Sequence, residues 1–154
     1  MIVNAVVVFI ILQITLLLFM VGHDWIHVPT FTNIPELKKA HSFNDRVLTT
    51  CINTSFVLLP LLLTIRYQPY FPERVSIILI IFYSILTLGT LCAWWIPYIW
   101  GSSEQHKHGF REYRETHHFL PKRGTNVVPN TLHVILHLQV WACLALSIYF
   151  LLQQ

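Results

Sequence analysis

The sequence predicts an all-α, polytopic membrane protein: a four-transmembrane-helix bundle forming one integral membrane domain over residues 1–154. Three observations carry this reading. Hydrophobic residues make up 55% of the chain and charged residues 11%, whereas soluble domains carry about 25% charged residues. Mean hydropathy is +0.57. Four stretches, 2–21, 47–65, 75–96 and 131–152, contain no Asp, Glu, Lys or Arg. Each is close to the roughly 20 apolar residues that cross a bilayer, and helices satisfy their own backbone hydrogen bonds there.

The first stretch has no Lys or Arg before it. Gly22-His23-Asp24-Trp25 follows it in place of a small-residue cleavage site, so it is expected to stay as a mature helix. Connector 22–46 carries Lys38, Lys39 and Arg46, and connector 97–130 carries Lys107, Arg111, Arg114, Lys122 and Arg123. The connector between the second and third spans carries only Arg66 and Arg74. The positive-inside rule therefore puts connectors 22–46 and 97–130 in the cytoplasm and both termini outside. Trp94, Trp95, Tyr98 and Trp100 mark the inner interface, and Tyr67, Tyr70 and Phe71 the outer one. Short interfacial helices are expected over Ile34–Asn44 and Glu104–Phe119. Pro60 is expected to kink the second span. Asn53, Thr54 and Ser55 are expected to bond between helices, and Gly89 to allow close helix approach. Cys51, Cys92 and Cys143 all lie in spans and read as small packing residues.

The net charge of +3 suits contact with anionic lipid. The basic residues alternate with Glu and His and form no stripe, so nucleic acid is not an expected partner. The bilayer is the expected partner, and a homo-oligomer is compatible with the chain.

The two long connectors echo each other. Glu36-Leu37-Lys38-Lys39-Ala40-His41-Ser42-Phe43 and Glu112-Tyr113-Arg114-Glu115-Thr116-His117-His118-Phe119 both read Glu-x-basic-x-x-His-x-Phe, at an offset of 76. Two helical hairpins in the same orientation would produce this pattern. Glu36/His41 and Glu112/His117 would then face each other.

All nine histidines lie in or beside these connectors: His23, His27 and His41, then His106, His108, His117, His118, His133 and His137. His23/His27 and His133/His137 are spaced i, i+4, which on a helix puts both rings on one face. With Glu36 these histidines form a candidate metal set, and Glu112 and Glu115 are the candidate catalytic carboxylates. Imidazole and carboxylate without thiolate suit iron or zinc, and paired membrane histidines can also ligate heme. Arg111, Arg114, Lys122 and Arg123 would hold an anionic headgroup or cofactor. The expected activity is that of a metal-dependent membrane oxidoreductase or hydrolase on a lipophilic substrate. A small transporter and an accessory subunit of a membrane complex are the competing classes.

Two family resemblances bear on this. His23-Asp24-Trp25-Ile26-His27 and His133 to His137 resemble the shorter boxes of the histidine-box membrane oxygenases. His117-His118 supplies a histidine pair without the preceding histidine. That resemblance implies two irons at the cytoplasmic face. Lys38-Lys39-Ala40-His41, with Asn44-Asp45 one residue late, is similar to the second-helix motif of the membrane-associated glutathione and eicosanoid enzymes. The Glu-Asn pair of that family is replaced by Arg46-Val47-Leu48. This second resemblance implies a four-helix glutathione-transferase-like enzyme, with Lys39, His41 and Asn44 holding an anionic thiol peptide.

Overall fold

The computed structural model describes residues 2–154, and every regular element among them is helical. The order is α1 (Ile2–Gly22), α2 (Ile34–Ala40), α3 (Phe43–Tyr67), α4 (Glu73–Thr90), a π turn (Leu91–Trp95), α5 (Ile96–Trp100), α6 (Glu104–Gly109), a 3-10 turn (Arg111–Tyr113) and α7 (Thr131–Leu152). The third span runs without interruption from Glu73 to Trp100. Four helices are thus long and apolar enough to cross a membrane.

Their apolar side chains face outward as well as inward. The outer stripe of α1 is Val3, Val7, Ile11, Ile14, Leu18 and Val21, all exposed. Its inner face is Val6, Phe9, Gln13 and Leu16. A soluble monomer rarely exposes so continuous an apolar surface, and lipid is the solvent that suits it. The core is built from Phe9, Val57, Phe71, Leu79, Tyr83, Val140, Cys143 and Phe150. Phe9 packs edge-on against both Tyr83 and Phe150, with centroids 5.9 and 5.4 Å away. α4 lies mainly on α7, and α1 lies between α3 and α7. Trp25 Nε1–H donates to Thr50 Oγ1 at 2.9 Å and Gln13 Nε2–H to Thr64 Oγ1 at 3.0 Å, which sets the α1/α3 register.

Several sequence expectations change here. The helix expected over Ile34–Asn44 is split. Ser42 starts a new helix through a capping box: its hydroxyl accepts from Asp45 N–H, and Asp45 accepts from Ser42 N–H at 3.2 Å. The helix expected over Glu104–Phe119 ends at Gly109 and passes into a single 3-10 turn. Gly89 makes no close approach, since a Cβ there would meet nothing within 4 Å. Among the described residues no interhelical hydrogen bond uses Asn53, Thr54 or Ser55; Thr54 Oγ1 is buried without a partner. The bonds between helices use Gln13, Thr15, Trp25 and Trp95 instead.

The π turn has a local cause. In an α-helix the Ala93 carbonyl would accept from the N–H of residue 97, and Pro97 has none. His106 Nε2–H donates to that carbonyl instead, at 3.0 Å. A local widening of the helix in the third span thereby docks α6.

Candidate functional site at the connector face

Both long connectors sit at one end of the bundle. His117 N–H donates to Thr30 O at 2.6 Å, and the His117 carbonyl accepts from Thr131 N–H at 2.9 Å. Thr30 holds a positive φ of 67° to present that carbonyl. His41 Nε2 lies 3.4 Å from Glu112 Oε1, joining the two connectors again. The reciprocal half of the echo is absent: Glu36 is paired with Lys39 Nζ at 2.5 Å, and His117 Nδ1 faces Thr131 Oγ1 at 2.7 Å. The echoed segments also differ locally, since Glu36 lies in α2 and Glu112 in the 3-10 turn.

Between the connectors lies a cavity of about 20 Å³, lined in part by His23, Asp24, Glu112, Tyr113, Asn130 and His133. That is room for about one water molecule. Asp24 is 7% exposed and Glu112 4%. The helix termini explain the clustering. α1 ends at Gly22, and the buried Arg46 guanidinium caps this end by donating to the Asp24 carbonyl. Arg46 also stacks on Trp25, 4.3 Å from the ring centre. At the start of α7, Asn130 Oδ1 caps the helix by accepting from His133 N–H at 2.9 Å.

The proton on each ring follows from its neighbours. His133 Nδ1–H donates to Asn130 Oδ1 at 2.7 Å, which leaves Nε2 as a free base. Asn130 is held in turn, donating to Thr116 Oγ1 at 3.0 Å. His23 Nδ1–H donates to the Phe19 carbonyl at 3.0 Å, and its Nε2 faces Asp24 Oδ1 at 3.2 Å. The His23 and His133 rings lie 6.3 Å apart in an edge arrangement, and His133 rests on Trp94 at 4.3 Å and Tyr113 at 4.8 Å. Burial first, then the Asp24 and Glu112 carboxylates, push the Tyr113 phenol well above its usual range, so it stays a neutral donor.

Of the residues expected to bind metal, the fold brings His23, His41, His133 and His137 into this region. The others lie apart. His23 and His27 do not share a helical face, because the helix stops before them; His27 is exposed. His108 Nε2 accepts from Arg111 at 3.0 Å, and both ring nitrogens of His118 face backbone carbonyls, at 3.3 and 3.0 Å. His106 is committed to Ala93. Among the described residues no group of three or more His, Cys, Asp or Glu side chains is placed to hold one metal ion.

A second cleft, of about 600 Å³, opens beside the first and shares Tyr113 as a wall. Lys107, Arg114 and Lys122 line it with Glu104, Glu115 and His118. Lys107 is bound to Glu104 Oε1 at 2.8 Å and Thr125 Oγ1 at 3.0 Å, and this contact holds the Glu104 carboxyl below its ordinary range. Arg111 and Arg123 do not line the cleft; Arg123 sits over Tyr98, 5.2 Å from the ring centre.

The sequence reading missed Arg46, Tyr113 and Asn130 as site residues. An Asn directly before a helix start is an N-cap signal, and it would have found Asn130. No known protein family, curated protein or solved structure matches the chain. The class its fold defines is an all-helical chain with four membrane-length helices and a polar His–carboxylate site at one end.

Proposed function

We propose that this is a multi-pass integral membrane enzyme with a general acid–base site at its connector face, hydrolysing an amphiphile with an anionic head. The single observation that carries the reading is the His133–Asn130 dyad on a one-water cavity. Asn130 fixes the His133 tautomer with Nε2 unprotonated, the state a base needs to activate water. Asp24, Glu112 and neutral Tyr113 supply carboxylates and a proton donor on the same cavity. The neighbouring cleft falls within the size range of small-molecule sites, with Lys107, Arg114 and Lys122 for the anionic end. In this reading the connector face is cytoplasmic, as the distribution of basic residues favours.

The test uses the full chain in lipid nanodiscs. Oleoyl lysophosphatidate should raise the melting temperature, monoolein should not, and Lys122→Ala should reduce the shift. Hydrolysis of a fluorogenic oleoyl ester should fall at least 100-fold in His133→Gln. Absence of turnover, together with stoichiometric iron or zinc after chelator washing, would replace this reading with the metal-dependent one.

A further inference from the structure

Glu115 is a carboxylate that the hydrolytic scheme leaves unused. It lines the second cleft together with Lys107, Arg114 and Lys122. The ion pairs among the described residues are His23–Asp24, Lys39–Glu36, His41–Glu112 and Lys107–Glu104. Lys107 is thus neutralised by Glu104, and Glu115 has no cation of its own. Arg114 and Lys122 pair with no carboxylate; Arg114 Nη2–H reaches only the Lys107 carbonyl, at 3.5 Å. His118 adds no free donor, because both of its ring nitrogens face backbone carbonyls, as described above.

The cleft therefore presents two free cations and one free carboxylate. A phosphate monoester carries about −1.5 to −2 charges and would set the excess against Glu115. A phosphate diester carries a single charge, which Arg114 and Lys122 can share through charge-assisted hydrogen bonds. Glu115 is then left for a positive group on the same ligand. A head with no cation would meet that carboxylate as a like charge, and such a penalty discriminates between ligands.

The kind of cation follows from the walls. A quaternary ammonium is recognised by open aromatic faces, and the rings of this cleft are already engaged. Phe110 is stacked with His106 at 4.5 Å and meets Trp94 edge-on at 4.6 Å. Tyr113 is held against Trp94 at 5.3 Å and His133 at 4.8 Å. A carboxylate suits a primary ammonium instead, since it can accept from that group's N–H donors. Leu120, Val127 and Val128 complete the lining with apolar surface, which suits the part of a lipid next to its head.

We infer that the cleft selects a lipid whose head is a phosphodiester bearing a primary ammonium, the phosphoethanolamine type. Arg114 and Lys122 take the phosphate and Glu115 takes the ammonium. The inference rests on the amphiphile reading of this cleft and narrows the head that it accepts. Glu115 then sets specificity and takes no part in bond cleavage.

The experiment uses the full chain in nanodiscs of phosphatidylcholine alone. At equal concentration, oleoyl lysophosphatidylethanolamine should raise the melting temperature about twice as far as oleoyl lysophosphatidate. Oleoyl lysophosphatidylcholine should raise it no further than monoolein. Glu115→Gln, at an exposed position, should erase the preference for ethanolamine and keep the lysophosphatidate shift. Chain-free glycerophosphoethanolamine should shift the melting temperature far less than the lysolipid; an equal shift would overturn a lipid as the source of the head. Equal shifts from the ethanolamine and choline lipids, or from the ethanolamine lipid and lysophosphatidate, would overturn the inference while leaving the amphiphile reading in place. So would a preference that survives Glu115→Gln. No shift from any of these lysolipids would overturn both.

Discussion

The indole N–H of Trp95 donates to Nδ1 of His137 at 3.0 Å. The bond fixes His137 as the Nε2–H tautomer and ties the π turn of the third span to the second turn of α7. Trp95 also packs at a tilt against Trp141, with centroids 5.5 Å apart, so one side chain joins the two helices by both polar and aromatic contact. Trp95→Phe should keep much of the packing and leave His137 Nδ1 buried and unpaired. A loss of about 1–3 kcal/mol is expected, measured by thermal unfolding in detergent, and Trp141→Phe should cost less.

The His106–Ala93 bond predicts a non-additive pair. His106→Ala should cost about 1 kcal/mol and raise hydrogen exchange across Glu104–Tyr113. In a Pro97→Ala background the backbone N–H of residue 97 can take the Ala93 carbonyl. The same His106 substitution should then cost measurably less. Equal losses in the two backgrounds would show that Pro97 is not the cause.

Thr30 is the one non-glycine residue with positive φ among those described, and its β-branched side chain makes that conformation costly. Thr30→Gly should relieve this strain at the cost of extra unfolded-state entropy. The expected net change is a gain of up to about 1 kcal/mol, read from the melting temperature. Thr30→Val should not gain.

Tyr113 gives a pH dependence with a definite sign. Its phenol is raised above the ordinary value of 10.0 in the folded protein. Below that pH it is neutral in both states, and its contribution is fully present. Above it the unfolded chain ionises while the folded one does not, so stability falls as pH rises. Tyr113→Phe should flatten this alkaline loss, as seen in melting curves between roughly pH 9 and 11.

The fold and the parity of its loops were largely legible in the sequence, because hydropathy over about 20 residues is a strong signal. The four spans came out within a few residues of the observed helices, and the two long connectors do meet at one end. The site was legible only in part. An i, i+4 spacing says nothing about whether the helix still exists at those positions, and α1 ends one residue before His23. Gln13 looked incidental inside an apolar run, because its partner Thr64 is 51 residues away. The role of His106 depends on a carbonyl freed by Pro97 in a different segment. Long-range pairings of this kind leave no local periodicity.

The sidedness inferred from basic residues has a direct test. In a background lacking native cysteines, Lys38→Cys and His108→Cys should both resist a membrane-impermeant maleimide applied outside intact cells, while Gln68→Cys should react. Opposite behaviour of the first two would contradict the observed meeting of the connectors.

The π turn also sets where the third span tolerates a change of length. Leu91–Trp95 follows an i to i+5 path, so it holds about one residue more than the α-helical path it replaces. Deleting one residue inside the turn would remove that excess and leave the residues beyond in about their present phase. Deleting one residue from the regular part of α4 would instead rotate one side of the cut against the other by about 100°. The Tyr98 hydroxyl, which donates to Pro121 O at 3.0 Å, would then lose its partner. The same one-residue deletion should therefore do less damage within Leu91–Trp95 than between Ile77 and Ile85.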